Sequence, residues 1–134
     1  MIIVFDFDGV LAEYQKFEGH DKFGKPISEM IELVKRLYER GCILKLSTTR
    51  LNPYPFGKAG KADMMVINGK AQEFIEKWLE SQGILACFTE LTGYKPYGDF
   101  YIDDKGLRYS LEHDKFGGRT GAELYELLLA DGGK

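Results

Sequence analysis

The sequence predicts an α/β fold with a mainly parallel central sheet. Short β-branched apolar runs alternate with stretches of helical periodicity, the pattern of strand–helix–strand units. Gly or Asp punctuates the ends of several of these segments. Polar, chemistry-bearing residues cluster just past the predicted strands. At 134 residues the chain matches the roughly 150-residue prior for one domain, so residues 1–134 are read as a single domain. A chain of this size buries roughly two-thirds of its unfolded surface and needs no disulfide or metal to hold a core.

The elements follow in order. Residues 2–5, Ile-Ile-Val-Phe, form a buried strand stopped by Asp6 and Gly9. Residues 12–25 are polar and contain Gly, which reads as a loop or small flap. Ile27, Met30, Ile31, Val34, Leu37 and Tyr38 recur at helical spacing. Pro26 suits the first turn of that helix and Gly41 its end. Residues 42–46 are the second strand. Residues 51–69 are long and irregular, with Pro53, Pro55, Gly57 and Gly60, and read as a functional or mobile loop. Ala71, Phe74, Ile75, Trp78 and Leu79 mark the next helix, closed by Gly83, with Trp78 on its apolar face. Residues 84–88 are expected to be a third strand, 100–102 a fourth and 107–111 a fifth. A capping box, Thr120-x-x-Glu123, opens the last helix, which Asp131-Gly132 ends.

Composition narrows the function classes. Apolar residues make up 44% and charged residues 29%, which excludes a disordered chain. A net charge of −3 gives no support to a general nucleic-acid binder. The longest apolar runs are five residues, far below the roughly 20 that span a bilayer. No secretory leader is visible after Met1, and a soluble, cytoplasmic protein is expected. Cys42 and Cys87 make no disulfide framework and read as buried free thiols on strands. His20 and His113 have no partners at ligand spacing and read as surface residues.

In open α/β sheets, ligands bind beyond the carboxyl ends of the strands. Asp6-Phe7-Asp8-Gly9 follows the first strand, and Ser47-Thr48-Thr49-Arg50 the second. Asp103-Asp104 follows the fourth, with Lys95 just before it. Carboxylates converging on one edge repel unless a cation lies between them. Hard oxygen donors without a His or Cys cluster favour Mg²⁺ over Zn²⁺. A lysine, hydroxyls and a metal together match a phosphoryl group. An Asp carboxylate in such a set can act as a nucleophile, and a second, two residues on, can protonate the leaving oxygen and then activate water.

These residues resemble the haloacid dehalogenase (HAD) superfamily. Asp6-x-Asp8-Gly9-Val10 after an N-terminal strand looks like its first motif, and Leu46-Ser47-Thr48-Thr49-Arg50 like its second. Lys95-Pro96-Tyr97-Gly98-Asp99, with Phe100-Tyr101-Ile102-Asp103-Asp104, resembles the third and fourth in compact form. The four motifs occur in order between residue 2 and about residue 108. The resemblance implies a three-layer α/β/α Rossmann-like fold without a large cap domain. It implies that Asp6 is the nucleophile and a Mg²⁺ ligand. Asp8 is then the acid/base, with its backbone carbonyl on the metal. Thr48 is the motif-two hydroxyl, with Ser47 as the competing register. Lys95 holds the phosphoryl group, and Gly9, Thr49 and Arg50 are substrate or phosphate contacts, Arg50 being otherwise an exposed structural residue. Asp103 ligates the metal, and Asp104 is a ligand or its anchor.

The implied function is a Mg²⁺-dependent phosphatase that hydrolyses a phosphate monoester through an aspartyl-phosphate on Asp6. The 14 residues of 12–25 suffice for a flap only, and the 51–69 loop is a candidate lid. Such an open site takes a small or macromolecular phosphate, or is covered by a second copy of the chain; no membrane partner is expected. One alternative is a phosphatase for nucleotides or nucleic-acid ends, using Arg50, Lys58, Lys61 and Lys70 on phosphates and Tyr54 and Phe56 on bases. Another is a non-enzymatic phosphate-sensing module. The run Gly57-Lys58-Ala59-Gly60-Lys61-Ala62 fails as a P-loop, because Ala62 stands where Ser or Thr is needed and Pro55 where Gly is.

Overall fold

The computed structural model describes residues 1–54, 62–103 and 121–132. Four strands form one sheet: β1 (Ile2–Phe5), β2 (Ile43–Ser47), β3 (Phe88–Thr92) and β4 (Phe100–Ile102). Their order is β3-β2-β1-β4, and all three pairings are parallel. Helices α1 (Ser28–Glu39), α2 (Met64–Ile67), α3 (Lys70–Ser81) and α4 (Gly121–Gly132) lie between and after them. This is the predicted α/β class, consistent with a three-layer Rossmann-like arrangement. Among the described residues no helix is long and apolar enough to cross a membrane.

Burial explains why these segments take these forms. Ile3, Val4 and Phe5 are all buried, as expected for a central parallel strand covered on both faces. β2 adds Leu44 and Leu46 to the core, α1 adds Leu33, Val34 and Leu37, and α3 adds Ile75 and Leu79. Leu124 and Leu128 of α4 complete it, and α4 packs on α1, with Arg36 lying 3.8 Å from the Tyr125 ring centroid. Gly41 and Gly83 end α1 and α3 with φ of +87° and +74°, which an L side chain rarely adopts.

Several boundaries differ from expectation. α1 begins at Ser28, with Pro26 just outside it and Ile27 as its N-cap. The third strand lies at Phe88–Thr92, not at 84–88, where Leu85–Cys87 instead forms a 3-10 turn. Ile84 is fully buried immediately after the helix, so the apolar run fills the core before the strand begins. β3 pairs only with β2 and lies at the sheet edge. Its Thr89 and Glu90 are exposed, so it lacks the continuous apolar signature of an inner strand. Segment 51–69 is not wholly irregular: Thr49–Leu51 is a 3-10 turn and α2 occupies Met64–Ile67.

Neither cysteine lies on a strand. Cys42 precedes β2 and Cys87 sits in the 3-10 turn; both are free thiols. Burial pushes both thiol pKa values up, which disfavours the thiolate; Cys42 is half-buried and Cys87 buried. Trp78 packs against the core, edge-on to Phe7 at 4.9 Å between ring centroids. The expected strand at 107–111, the Thr120 capping box and His113 lie outside the described residues.

Candidate active site

The carboxyl edge of the sheet carries a cavity of about 260 Å³. Asp6 enters it from the end of β1, Ser47 from β2 and Asp103 from β4. Thr49 and Lys95 close its sides. The shifted β3 explains how Lys95 arrives there. The strand ends at Thr92, and Gly93 then turns the chain against residues 51–52. A Cβ on Gly93 would come within 2.5 Å of the Leu51 carbonyl carbon, so no larger residue fits this crossing. Ser47 Oγ donates to the Tyr94 carbonyl at 2.9 Å, and the Lys95 ammonium lies 5.3 Å from the Tyr101 ring centroid. Tyr101 in turn donates its hydroxyl proton to the Pro96 carbonyl at 2.8 Å and accepts from the Gly98 N–H. The lysine loop is therefore tied to β4.

Asp6, Lys95 and Asp103 are thus brought together with two hydroxyl-bearing residues, Ser47 and Thr49. Thr48 goes elsewhere. It is 2% exposed, and its hydroxyl accepts the Arg50 N–H at 3.2 Å, capping the 3-10 turn. Alternation along an extended segment explains this, since Ser47 and Thr49 share one side and Thr48 takes the other. Gly9, at φ +82°, donates its N–H to the Ala12 carbonyl at 2.8 Å within its own turn.

Asp8 lines a second cavity, of about 300 Å³, together with Arg50, Tyr14, Phe17, Asn52 and Asp63. Thr49 lines both cavities. Arg50 is not an exposed structural residue, being 5% exposed. Its Nε and Nη2 donate to the two Asp8 oxygens at 2.8 and 3.0 Å. Its Nη1 and Nη2 also donate to the Gly19 and Lys22 carbonyls at 3.1 and 2.9 Å. The rings of Phe7, Phe17 and Phe23 surround the guanidinium, with centroids 4.7 to 5.6 Å from Cζ. A cation with nearly every donor engaged and aromatic faces around it tolerates burial.

The same contacts hold the flap. Its ends are joined by Glu13 N–H to Lys25 carbonyl and Ile27 N–H to Leu11 carbonyl, both 2.8 Å. Gly24 passes so close to Glu13 that a Cβ there would overlap the Glu13 carbonyl oxygen. At the tip, His20 Nε2 meets Asp63 Oδ2 at 2.6 Å. That hydrogen bond is the largest cause of an Asp63 pKa below the ordinary carboxylate value. The other Asp63 oxygen accepts from the Met65 N–H and caps α2. His20 is therefore no surface histidine: its side chain is 11% exposed and its Nδ1 is buried without a partner among the described residues. Neither Arg50–Asp8 nor His20–Asp63 is legible in the sequence, because each spans more than 40 positions. Asp104, Lys58, Lys61 and Phe56 lie outside the described residues; Tyr54 is 47% exposed, and Lys70 is exposed beside Glu73 on α3.

Two oxygen-donor residues on one cavity, Asp6 and Asp103, suit a hard cation that keeps several of its waters, as Mg²⁺ does. Among the described residues no group of three or more His, Cys, Asp or Glu gathers at metal-binding distance. Comparison with protein-family models and with curated proteins gave no match. Comparison with solved structures matched a target protein from Vibrio cholerae. It is 20% identical, with 97% of this chain and 98% of that chain covered and a TM-score of 0.48. The class of the protein, an α/β domain with a parallel Rossmann-like sheet, therefore rests on its own strand order and pairing.

Proposed function

We propose that this protein is a Mg²⁺-dependent phosphatase of the HAD type, acting on a phosphate monoester. One observation carries the reading. Asp6, Lys95 and Asp103 line a single cavity at the carboxyl edge of a parallel sheet, with Ser47 and Thr49 beside them. A carboxylate, an ammonium and hydroxyls in one small volume match the charge and shape of a phosphoryl group.

In this mechanism an Asp6 oxygen attacks phosphorus, and the bond from phosphorus to the ester oxygen breaks. Asp8 gives that oxygen its proton. Water then attacks the aspartyl-phosphate as Asp8 takes a proton back, which releases phosphate and restores Asp6. Lys95 balances charge on the phosphoryl oxygens and Thr49 offers a hydroxyl donor, whereas the Ser47 hydroxyl is donated to the Tyr94 carbonyl and fixes the lysine loop. Asp6 and Asp103 would hold Mg²⁺, with the Asp8 main-chain carbonyl; the ion would neutralise phosphoryl charge. The Asp8–Arg50 pair adds a condition: both Asp8 oxygens accept from the guanidinium, so Asp8 has to release at least one of those bonds and take up a proton before it can protonate the ester oxygen.

The test is hydrolysis of acetyl phosphate and an aryl phosphate with and without Mg²⁺. Asp6→Asn is expected to lower kcat by roughly a thousandfold or more, as loss of a nucleophile does, and EDTA to do the same. Activity that survives both treatments overturns the reading.

A further inference from the structure

We propose that the cavity on the Asp8 side is a leaving-group subsite for a planar aromatic base, so that the substrates are nucleoside monophosphates. The proposal rests on the phosphatase reading for its chemistry, though the binding site can be tested without it.

Position is the first argument. The acid that protonates the ester oxygen has to face the departing group. Asp8 lines the 300 Å³ cavity, whereas Asp6 and Lys95 line the other, and Thr49 borders both. A phosphoryl group over Asp6 therefore directs its alcohol toward the flap.

The walls supply the chemistry. Tyr14 and Phe17 stand 45% and 51% exposed on the flap and line this cavity. Large rings left half exposed beside a cavity offer stacking faces. Asn52 and the His20–Asp63 pair make the cavity's polar side. Ring faces beside hydrogen-bonding groups suit a flat group with a polar rim.

The wall is also built in advance. Arg50 ties Gly19 and Lys22 of the flap to Asp8, and His20 ties the flap tip to Asp63. Binding then costs little ordering of the flap. The volume lies at the lower limit for ligand pockets, which suits one nucleoside rather than several. The net charge of −3 likewise favours a mononucleotide over a polynucleotide.

The experiment compares the four ribonucleoside 5′-monophosphates with ribose 5-phosphate, which presents the same primary alcohol without a base. Nucleoside binding, with no phosphate present, is measured in parallel by calorimetry. The best nucleotide should exceed ribose 5-phosphate in kcat/KM by roughly 5- to 150-fold, the range one stacked base contributes. Phe17→Ala and Tyr14→Ala should each collapse that ratio and weaken nucleoside binding, while Phe17→Tyr retains both. Equal kcat/KM for ribose 5-phosphate and every nucleotide overturns the subsite and leaves the phosphatase reading intact. So does Mg²⁺-dependent cleavage of acetyl phosphate with no nucleoside binding. Nucleoside binding lost in Phe17→Ala, in a protein that cleaves no phosphate, upholds the subsite and overturns the phosphatase reading.

Discussion

Arg50 brings a full charge into the interior, and its partners explain how. Its guanidinium fork meets both oxygens of Asp8, and two flap carbonyls take further N–H groups. A planar fork suits this task better than an ammonium, because lysine is a point charge with no bidentate geometry. Removing one partner of such a buried pair leaves the other charge uncompensated. Arg50→Ala is therefore expected to destabilise the protein by about 3–5 kcal/mol, read by urea denaturation. Arg50→Lys should recover part of that stability but not the bidentate hold on Asp8. Equal stability of wild type and Arg50→Ala would show that water or another group takes over the pairing. The sequence weighed Arg50 as a phosphate contact or an exposed residue, since nothing near it in the chain discloses Asp8 as its partner. Thr48 is a similar case. The run Ser47-Thr48-Thr49 offers three hydroxyls, and only the orientation of β2 assigns Thr48 to the interior and its neighbours to the cavity.

Among the elements, the flap owes its shape to contacts at its base, along its length and at its tip. The base is backbone pairing, the length is held by Arg50, and the tip by His20 on Asp63. The tip contact is pH-sensitive through Asp63, whose pKa falls on folding, chiefly because it accepts the His20 hydrogen bond. A depressed carboxylate pKa adds stability above the unfolded value of about 4, and that gain disappears as pH falls through the folded value. Wild type should thus lose stability on acidification from about pH 5 downward more steeply than Asp63→Asn, as thermal melts at stepped pH will read. Parallel acid limbs for the two proteins would refute the linkage. The third strand shows why element boundaries escape a sequence reading. Residues 84–88 have the apolar run of a strand, yet Ile84 is spent on the core and the pairing begins at Phe88. β3 is an edge strand with Thr89 and Glu90 outward, so its hydrogen-bonded residues carry little apolar signal.

On the scale of the whole molecule, the parallel sheet aims its strand ends at one edge and so brings distant residues together. Ser47, Asp6 and Asp103 are far apart in the chain but stand at the ends of the adjacent strands β2, β1 and β4, respectively. Two carboxylates on one small cavity should couple folding to a divalent cation. Mg²⁺ is expected to raise Tm by several degrees relative to NaCl of equal ionic strength. A ligand at a hundredfold excess over Kd contributes about 2.7 kcal/mol. Asp103→Asn should remove the Mg²⁺ increment, and an undiminished increment in that variant would place the ion elsewhere.

The sequence by itself determined the α/β class, the places of the first, second and fourth strands, and the residue types waiting at their ends. Those follow from local signals: apolar periodicity, Gly and Asp punctuation, and the spacing of motifs along the chain. Only the tertiary structure decided which side chains share a cavity, that Asp8 answers to Arg50, and that His20 answers to Asp63. These pairings join residues more than 40 positions apart. They depend on how the flap folds back over the sheet edge, and no local pattern in the chain encodes that path.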